Sequence, residues 1–174
     1  VSNQQYRNNL ILGQAETPEL FSVETNTNYS SSDYNGFRPN AGAPFSFGWS
    51  SPPSGVMANF PISAGAQGSR EQGALEASAR ENRRFQTLAQ YQAGTGQDRH
   101  SVLVDYDIFE KVTAPGKDPR TLYNPADFNF SLRPGSAAVD AGVPMAGIND
   151  GYTGRAPDLG AYETGQALPH YGPR

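Results

Sequence analysis

Short apolar, β-prone runs punctuated by Asn and Gly open the chain. They read Asn8-Asn9-Leu10-Ile11-Leu12-Gly13, then Leu20-Phe21-Ser22-Val23-Glu24-Thr25, then Asp33-Tyr34-Asn35-Gly36-Phe37. Asn9 and Asn28 each sit beside such a run, a spacing that suits stacked strand layers with Asn at the corners, as in a parallel β-solenoid. A terminal layer without a cap exposes a sheet edge. No capping segment is evident from Val1 onward, so this side of the chain is expected to dock on further rungs.

Between Asn40 and Gly68 the pattern gives way to Pro, Gly, Ser and Ala with aromatics at Phe45, Phe47, Trp49 and Phe60. That composition predicts a long excursion held down by a few rings. Ala74, Leu75, Ala77 and Ala79 among charged residues predict an exposed helix over Arg70–Arg84. A short helix follows, with a capping box at Thr87-Leu88-Ala89-Gln90, Leu88 and Tyr91 on one face, and Gly94 and Gly96 as a left-handed stop. Strands are expected at Ser101–Val104 and Phe128–Leu132, the latter with the period of two of a half-buried strand. Arg133-Pro134-Gly135-Ser136 and Asn149-Asp150-Gly151 read as turns, and Ala156–Glu163 as a last strand before a Pro-rich tail. The chain divides into terminal rungs (1–45), a loop or insertion with a helix (46–84), and a helix, closing rungs and cap (85–174).

Composition narrows the function classes. Charged residues are 17% of the chain, while Gly (19) and Pro (14) are abundant, which favours strand and turn over helix. Net charge is −4, and Lys and Arg cluster only at Arg80, Arg83 and Arg84, so nucleic acid is not an expected partner. Cysteine is absent, which removes disulfides and thiolate metal sites. No apolar run reaches the ~18 residues of a membrane span. The start at Val1, with neither Met nor a signal-like segment, reads as the interior of a longer protein or a processed terminus.

Three segments carry a resemblance. Thr95-Gly96-Gln97-Asp98-Arg99-His100-Ser101 followed by Asp105-Tyr106-Asp107-Ile108-Phe109 resembles a linker from a small helix into a closing rung. Asp127-Phe128-Asn129-Phe130-Ser131-Leu132-Arg133-Pro134-Gly135-Ser136-Ala137-Ala138-Val139-Asp140-Ala141-Gly142 is the most specific piece, and Ala156-Pro157-Asp158-Leu159-Gly160-Ala161-Tyr162-Glu163 follows it. Together they are similar to the C-terminal module of bacterial extracellular right-handed parallel β-helix proteins, the pectate-lyase-like superfamily. The resemblance covers residues 85–163 well, residues 1–45 only in texture, and residues 46–84 hardly at all. It implies an all-β fold of terminal rungs plus a cap, docked on preceding β-helix rungs of the same parent polypeptide or of a companion chain. It also implies a secreted or cell-surface setting and a polysaccharide as substrate or ligand, with lyase or glycoside-hydrolase chemistry in a groove formed mostly upstream. A non-catalytic extracellular stalk or filament subunit is the competing expectation.

Within the chain itself, the residues suited to substrate contact are Trp49 and Tyr34, whose rings can stack on sugars, and Arg99 and His100 in the recurring module. His100 equally suits a backbone contact at the helix-to-strand crossing, and His170 belongs to the tail. Asp105 and Asp107 alternate on one expected strand face. With Asp150 and Asp158 they are the candidate ligands for Ca²⁺, the cation the resemblance implies, although Asn149, Asp150, Asp158 and Glu163 lack the spacing of an EF-hand loop and suit turn-capping.

Overall fold

The computed structural model describes residues 3–14, 18–53, 80–118 and 120–168. The apolar runs of the first 51 residues form two passes of strands. The first contains β1 (Gln5–Tyr6), β2 (Leu10–Leu12) and β3 (Phe21–Glu24), and the second β4 (Ser31–Ser32), β5 (Gly36–Arg38) and β6 (Phe47–Ser51). Each strand of the first pass pairs in parallel with its counterpart 26 residues later: Gln5 with Ser31, Leu10 with Gly36, Phe21 with Phe47. The offset sets like on like, Ile11 beside Phe37 and Phe21 beside Phe47. Asn9 stacks on Asn35, whose Oδ1 accepts from the Asn9 backbone N–H (3.1 Å) and from Asn9 Nδ2 (2.9 Å). The corner partner of Asn9 is therefore Asn35, and Asn28 lies in the turn after β3.

The expected right-handed parallel β-helix does not form. The described residues make four small sheets of two or three strands, parallel and antiparallel mixed, with one α-helix. Two segments break the stacking. β7 (Glu81–Phe85) runs antiparallel to β6, so the third member of that sheet reverses the chain instead of repeating the pass. Helix α1 (Leu88–Thr95) then packs against β6 and β7. Parallel pairing continues only at β8 (Val102–Leu103) on β5, while β9 (Phe109–Lys111) and β10 (Asn129–Leu132) form a separate antiparallel pair. The solenoid description fails with the fold.

Several local expectations shift with it. Phe47–Ser51, read from sequence as part of a loop, is a fully buried central strand, because its Phe and Trp fill the core. Within the stretch expected to be helical over Arg70–Arg84, the described part from Glu81 is strand β7. Asp105 and Asp107 flank and enter a 3-10 turn, Tyr106–Ile108, rather than alternating on a strand. Ala156–Glu163 runs as bends held by side chains. Helix α1 is as the sequence predicts: Thr87 Oγ1 caps Gln90 N (3.2 Å), the Gln90 side chain reaches back to the Thr87 N–H, Gly96 closes the helix at φ +73°, and Leu88 and Tyr91 are buried. A cap of this type contributes about 1 kcal/mol.

Two cores result. Phe21, Val23, Phe37, Phe47, Trp49, Leu88 and Tyr91 form the inner one. Tyr91 is its hub, stacked on Phe47 at 5.2 Å and meeting Phe21 and Phe85 edge-on. The second lies on the other side of the β2–β5–β8 sheet, where Val104, Ile108, Phe109, Leu132, Ala138 and Leu159 pack against Leu10 and Leu12. Gly36 makes this contact close: a Cβ there would stand 2.7 Å from Leu10 Cδ2 and 3.2 Å from Leu159 Cδ1.

Candidate functional site

Of the residues singled out for substrate contact, the structure brings two together. The rings of Tyr34 and His100 stack with centroids 4.6 Å apart and planes 13° from parallel. Asp33 fixes the pair: its Oδ2 lies 2.8 Å from His100 Nδ1, and its Oδ1 accepts from the His100 and Tyr34 backbone N–H groups at 2.8 and 3.0 Å. Tyr34 holds φ +56°, a left-handed conformation uncommon for an aromatic residue, which this Asp-centred turn maintains. Partial burial works to raise the Asp33 pKa, but the hydrogen bonds from His100 and Tyr34 outweigh it and hold the carboxyl below its ordinary range. The His100 side chain is 60% exposed, and this cluster sits on the surface. Arg99 is exposed near the end of α1. Trp49 is 4% exposed and packs in the inner core, while bordering a polar groove on the outer face of the β3–β6–β7 sheet. His170 and Phe60 lie outside the described residues.

Asp98, two residues before His100, is structural. Asp98 is fully buried at φ +52°. Its Oδ1 accepts from Asn35 Nδ2 (2.9 Å) and Ser101 Oγ (2.6 Å), and its N–H donates to the Ser32 carbonyl (2.7 Å). Burial, and then the Asp98 carboxylate nearby, push the Tyr91 phenol far above its usual range.

The four expected cation ligands are not brought together. Asp105 Oδ1 bonds Arg38 Nε at 2.6 Å and caps Tyr106 N at 2.7 Å, while Asp107 is exposed in the 3-10 turn. Asp150 Oδ2 accepts from Gly147 N. Asp158 is buried, with Oδ1 on Asp140 N and Oδ2 on Thr164 N. Among the described residues no three His, Cys, Asp or Glu side chains are placed to hold a metal ion. Asp105, Asp150 and Asp158 each cap a local backbone group, and the four carboxylates do not converge on one point.

The most ligand-like polar surface was not anticipated. It lies on the outer face of the β3–β6–β7 sheet. Strand alternation there buries Phe21 and Val23 and turns Ser22 and Glu24 outward. The register aligns Ser22 with Gly48 and Arg84, and Glu24 with Ser50 and Asn82, giving two polar rows side by side. Together with Glu19, Trp49 and Arg83 they line a groove of about 480 Å³, within the roughly 300–1,000 Å³ of small-molecule sites. Gly48 forms its floor. A Cβ there would meet Glu19 Oε1 at 2.5 Å and Ser22 Oγ at 2.6 Å, so a side chain at this position displaces both groups from where they now lie on the sheet. Arg84 is held by the Phe45 ring, 4.6 Å from guanidinium carbon to centroid, and Glu24 meets Arg80 at 3.6 Å. The Arg83 guanidinium donates to Ser51 Oγ and the Gly94 carbonyl. The exposed-buried alternation at Phe21–Glu24 was visible in the sequence. The residues across from it were not, because β6 and β7 were read as loop and helix.

No family model, curated protein or solved structure matches this chain.

Proposed function

We propose that the chain binds a neutral polysaccharide in the groove over Gly48. The observation that carries this reading is the pair of polar rows on a rigid sheet. Glu19, Glu24 and Ser50 offer acceptors, and Asn82 and Arg84 offer donors, within one shallow channel. Sugars present closely spaced hydroxyls that both give and accept hydrogen bonds, and a flat row of mixed donors and acceptors suits them. Charge selects among sugars. Two acidic residues, Glu19 and Glu24, and two basic ones, Arg83 and Arg84, line the groove, so its formal charges cancel and a neutral glycan suits it better than a charged one.

The test is isothermal titration with soluble hexasaccharides of glucose, mannose and xylose, beside an oligogalacturonate. At least one neutral hexasaccharide should bind, Arg84→Ala or Asn82→Ala should weaken it about tenfold, the loss of one good hydrogen bond, and Gly48→Val should abolish it while the thermal midpoint of each variant stays near that of the wild type. Absence of binding by every neutral hexasaccharide, or binding indifferent to Gly48→Val, overturns the reading. A non-catalytic structural subunit is the second reading, favoured by the strand edges β1, β2 and β3, each paired on one side only among the described residues. It predicts assembly without glycan binding.

A further inference from the structure

The edge of β2 and the apolar trough beside it form a surface distinct from the polar groove. β2 pairs with β5 and, among the described residues, has no strand on its other side. The ladder uses the peptide groups at every second residue: Gly36 N donates to the Asn9 carbonyl (2.8 Å), and Gly13 N to the Arg38 carbonyl (2.9 Å). In a parallel ladder the intervening residues point the other way. The N–H and C=O groups of Leu10 and Leu12 therefore face outward, a template for another strand.

Beyond that edge opens a trough of about 820 Å³, walled by Leu10, Leu12, Phe109, Phe130, Leu132 and Leu159, with no charged residue in its lining. Phe130 is 51% exposed, although Phe109 and Phe128 pack against it at 5.5 and 6.0 Å. The alternation of β2 links edge and trough. Ile11 turns to the inner core, whereas Leu10 and Leu12 turn to the trough side. A strand added at the edge projects its own residues i and i+2 to the same side as Leu10 and Leu12.

We propose that the β2 edge takes an extended peptide segment of a partner protein, uncharged and bearing large apolar side chains two residues apart. Backbone bonding to Leu10 and Leu12 supplies affinity, and the trough receives the alternate side chains. A lipid tail is disfavoured, because a hydrocarbon leaves the outward peptide groups of Leu10 and Leu12 without partners, whereas an extended peptide satisfies them.

The probe is a fluorescent, end-blocked eight-residue peptide alternating phenylalanine or valine with threonine, followed by anisotropy. Three comparisons accompany it: a scramble in which no apolar residues are two apart, a version N-methylated at alternate amides, and the exposed-residue variant Phe130→Asp. The alternating peptide should bind, and each change should weaken it at least tenfold. No binding up to millimolar peptide overturns the proposal, as does binding indifferent to N-methylation and to Phe130→Asp. Displacement by dodecanoate with N-methylation immaterial assigns the trough to acyl chains instead. Failure of the peptide together with concentration-dependent dimerisation in sedimentation assigns it to a second copy. Each of these results overturns the proposal.

Discussion

Replacing Asn35 by Ala removes the side chain that ties the two strand passes and the closing segment together. Asn35 is fully buried. Its Oδ1 holds Asn9 N and Asn9 Nδ2, and its Nδ2 donates to Asp98 Oδ1 at 2.9 Å and lies within 3.2 Å of the Tyr6 and Asp33 carbonyls and Ser32 Oγ. The two bonds to Asn9 are neutral and worth about 1 kcal/mol each, and the bond to a buried carboxylate about 1.5–3. Truncation also leaves Asp98 with one side-chain donor fewer in a dry site. The loss should total about 3–5 kcal/mol, a large share of an ordinary domain's 5–15. Asn35→Asp keeps the shape but turns the donor into a second carboxylate facing Asp98, and should cost at least as much at pH 7. Urea unfolding followed by the fluorescence of the single, buried Trp49 reads both, with the m-value unchanged. A loss below 1 kcal/mol in Asn35→Ala, or an Asn35→Asp variant as stable as the wild type, refutes the reasoning.

Two acid–base predictions have opposite signs. The folded pKa of Asp33 lies below its unfolded value, so its ionised form is favoured by folding. That stability is complete above about pH 5 and is lost as pH falls through the folded pKa. The gap in unfolding free energy between wild type and Asp33→Asn should be full at pH 6 and shrink steadily as the pH falls below about 4, the ordinary carboxylate pKa. Glu163 behaves the other way: burial raises its pKa above 4.5, and the Asp158 and Asp140 carboxylates reinforce the rise against the Asp158 N–H bond. Ionisation on raising the pH therefore destabilises the fold, so Glu163→Gln should have a higher thermal midpoint than the wild type at pH 7 and none of that advantage near pH 3.5.

What the sequence revealed and what it hid follow from range. Helix α1 was legible because capping box, apolar face and glycine stop all lie within ten residues. The β-prone runs were legible as well. The stacking offset was not, because it depends on which Asn meets Asn9, and Asn35 wins by reaching Asp98 and Ser101, more than 60 residues away. The Pro- and Gly-rich flanks disguised Phe47–Ser51 as loop, though tertiary burial of Phe47 and Trp49 makes it a central strand. That error hid the groove, whose rows exist only once β3, β6 and β7 lie side by side. Tyr34 and His100 were named separately, while Asp33, which joins them, went unnoticed as an ordinary turn residue.

The central claim, a glycan site on the outer sheet face, is tested most directly by amide chemical-shift mapping of the ¹⁵N-labelled chain titrated with the neutral hexasaccharides. The account predicts saturable shifts concentrated at Ser22, Glu24, Gly48, Ser50, Asn82 and Arg84, with Asn35 and Asp98 unmoved. Shifts centred on the Tyr34–His100 stack, or none at millimolar sugar, would contradict it.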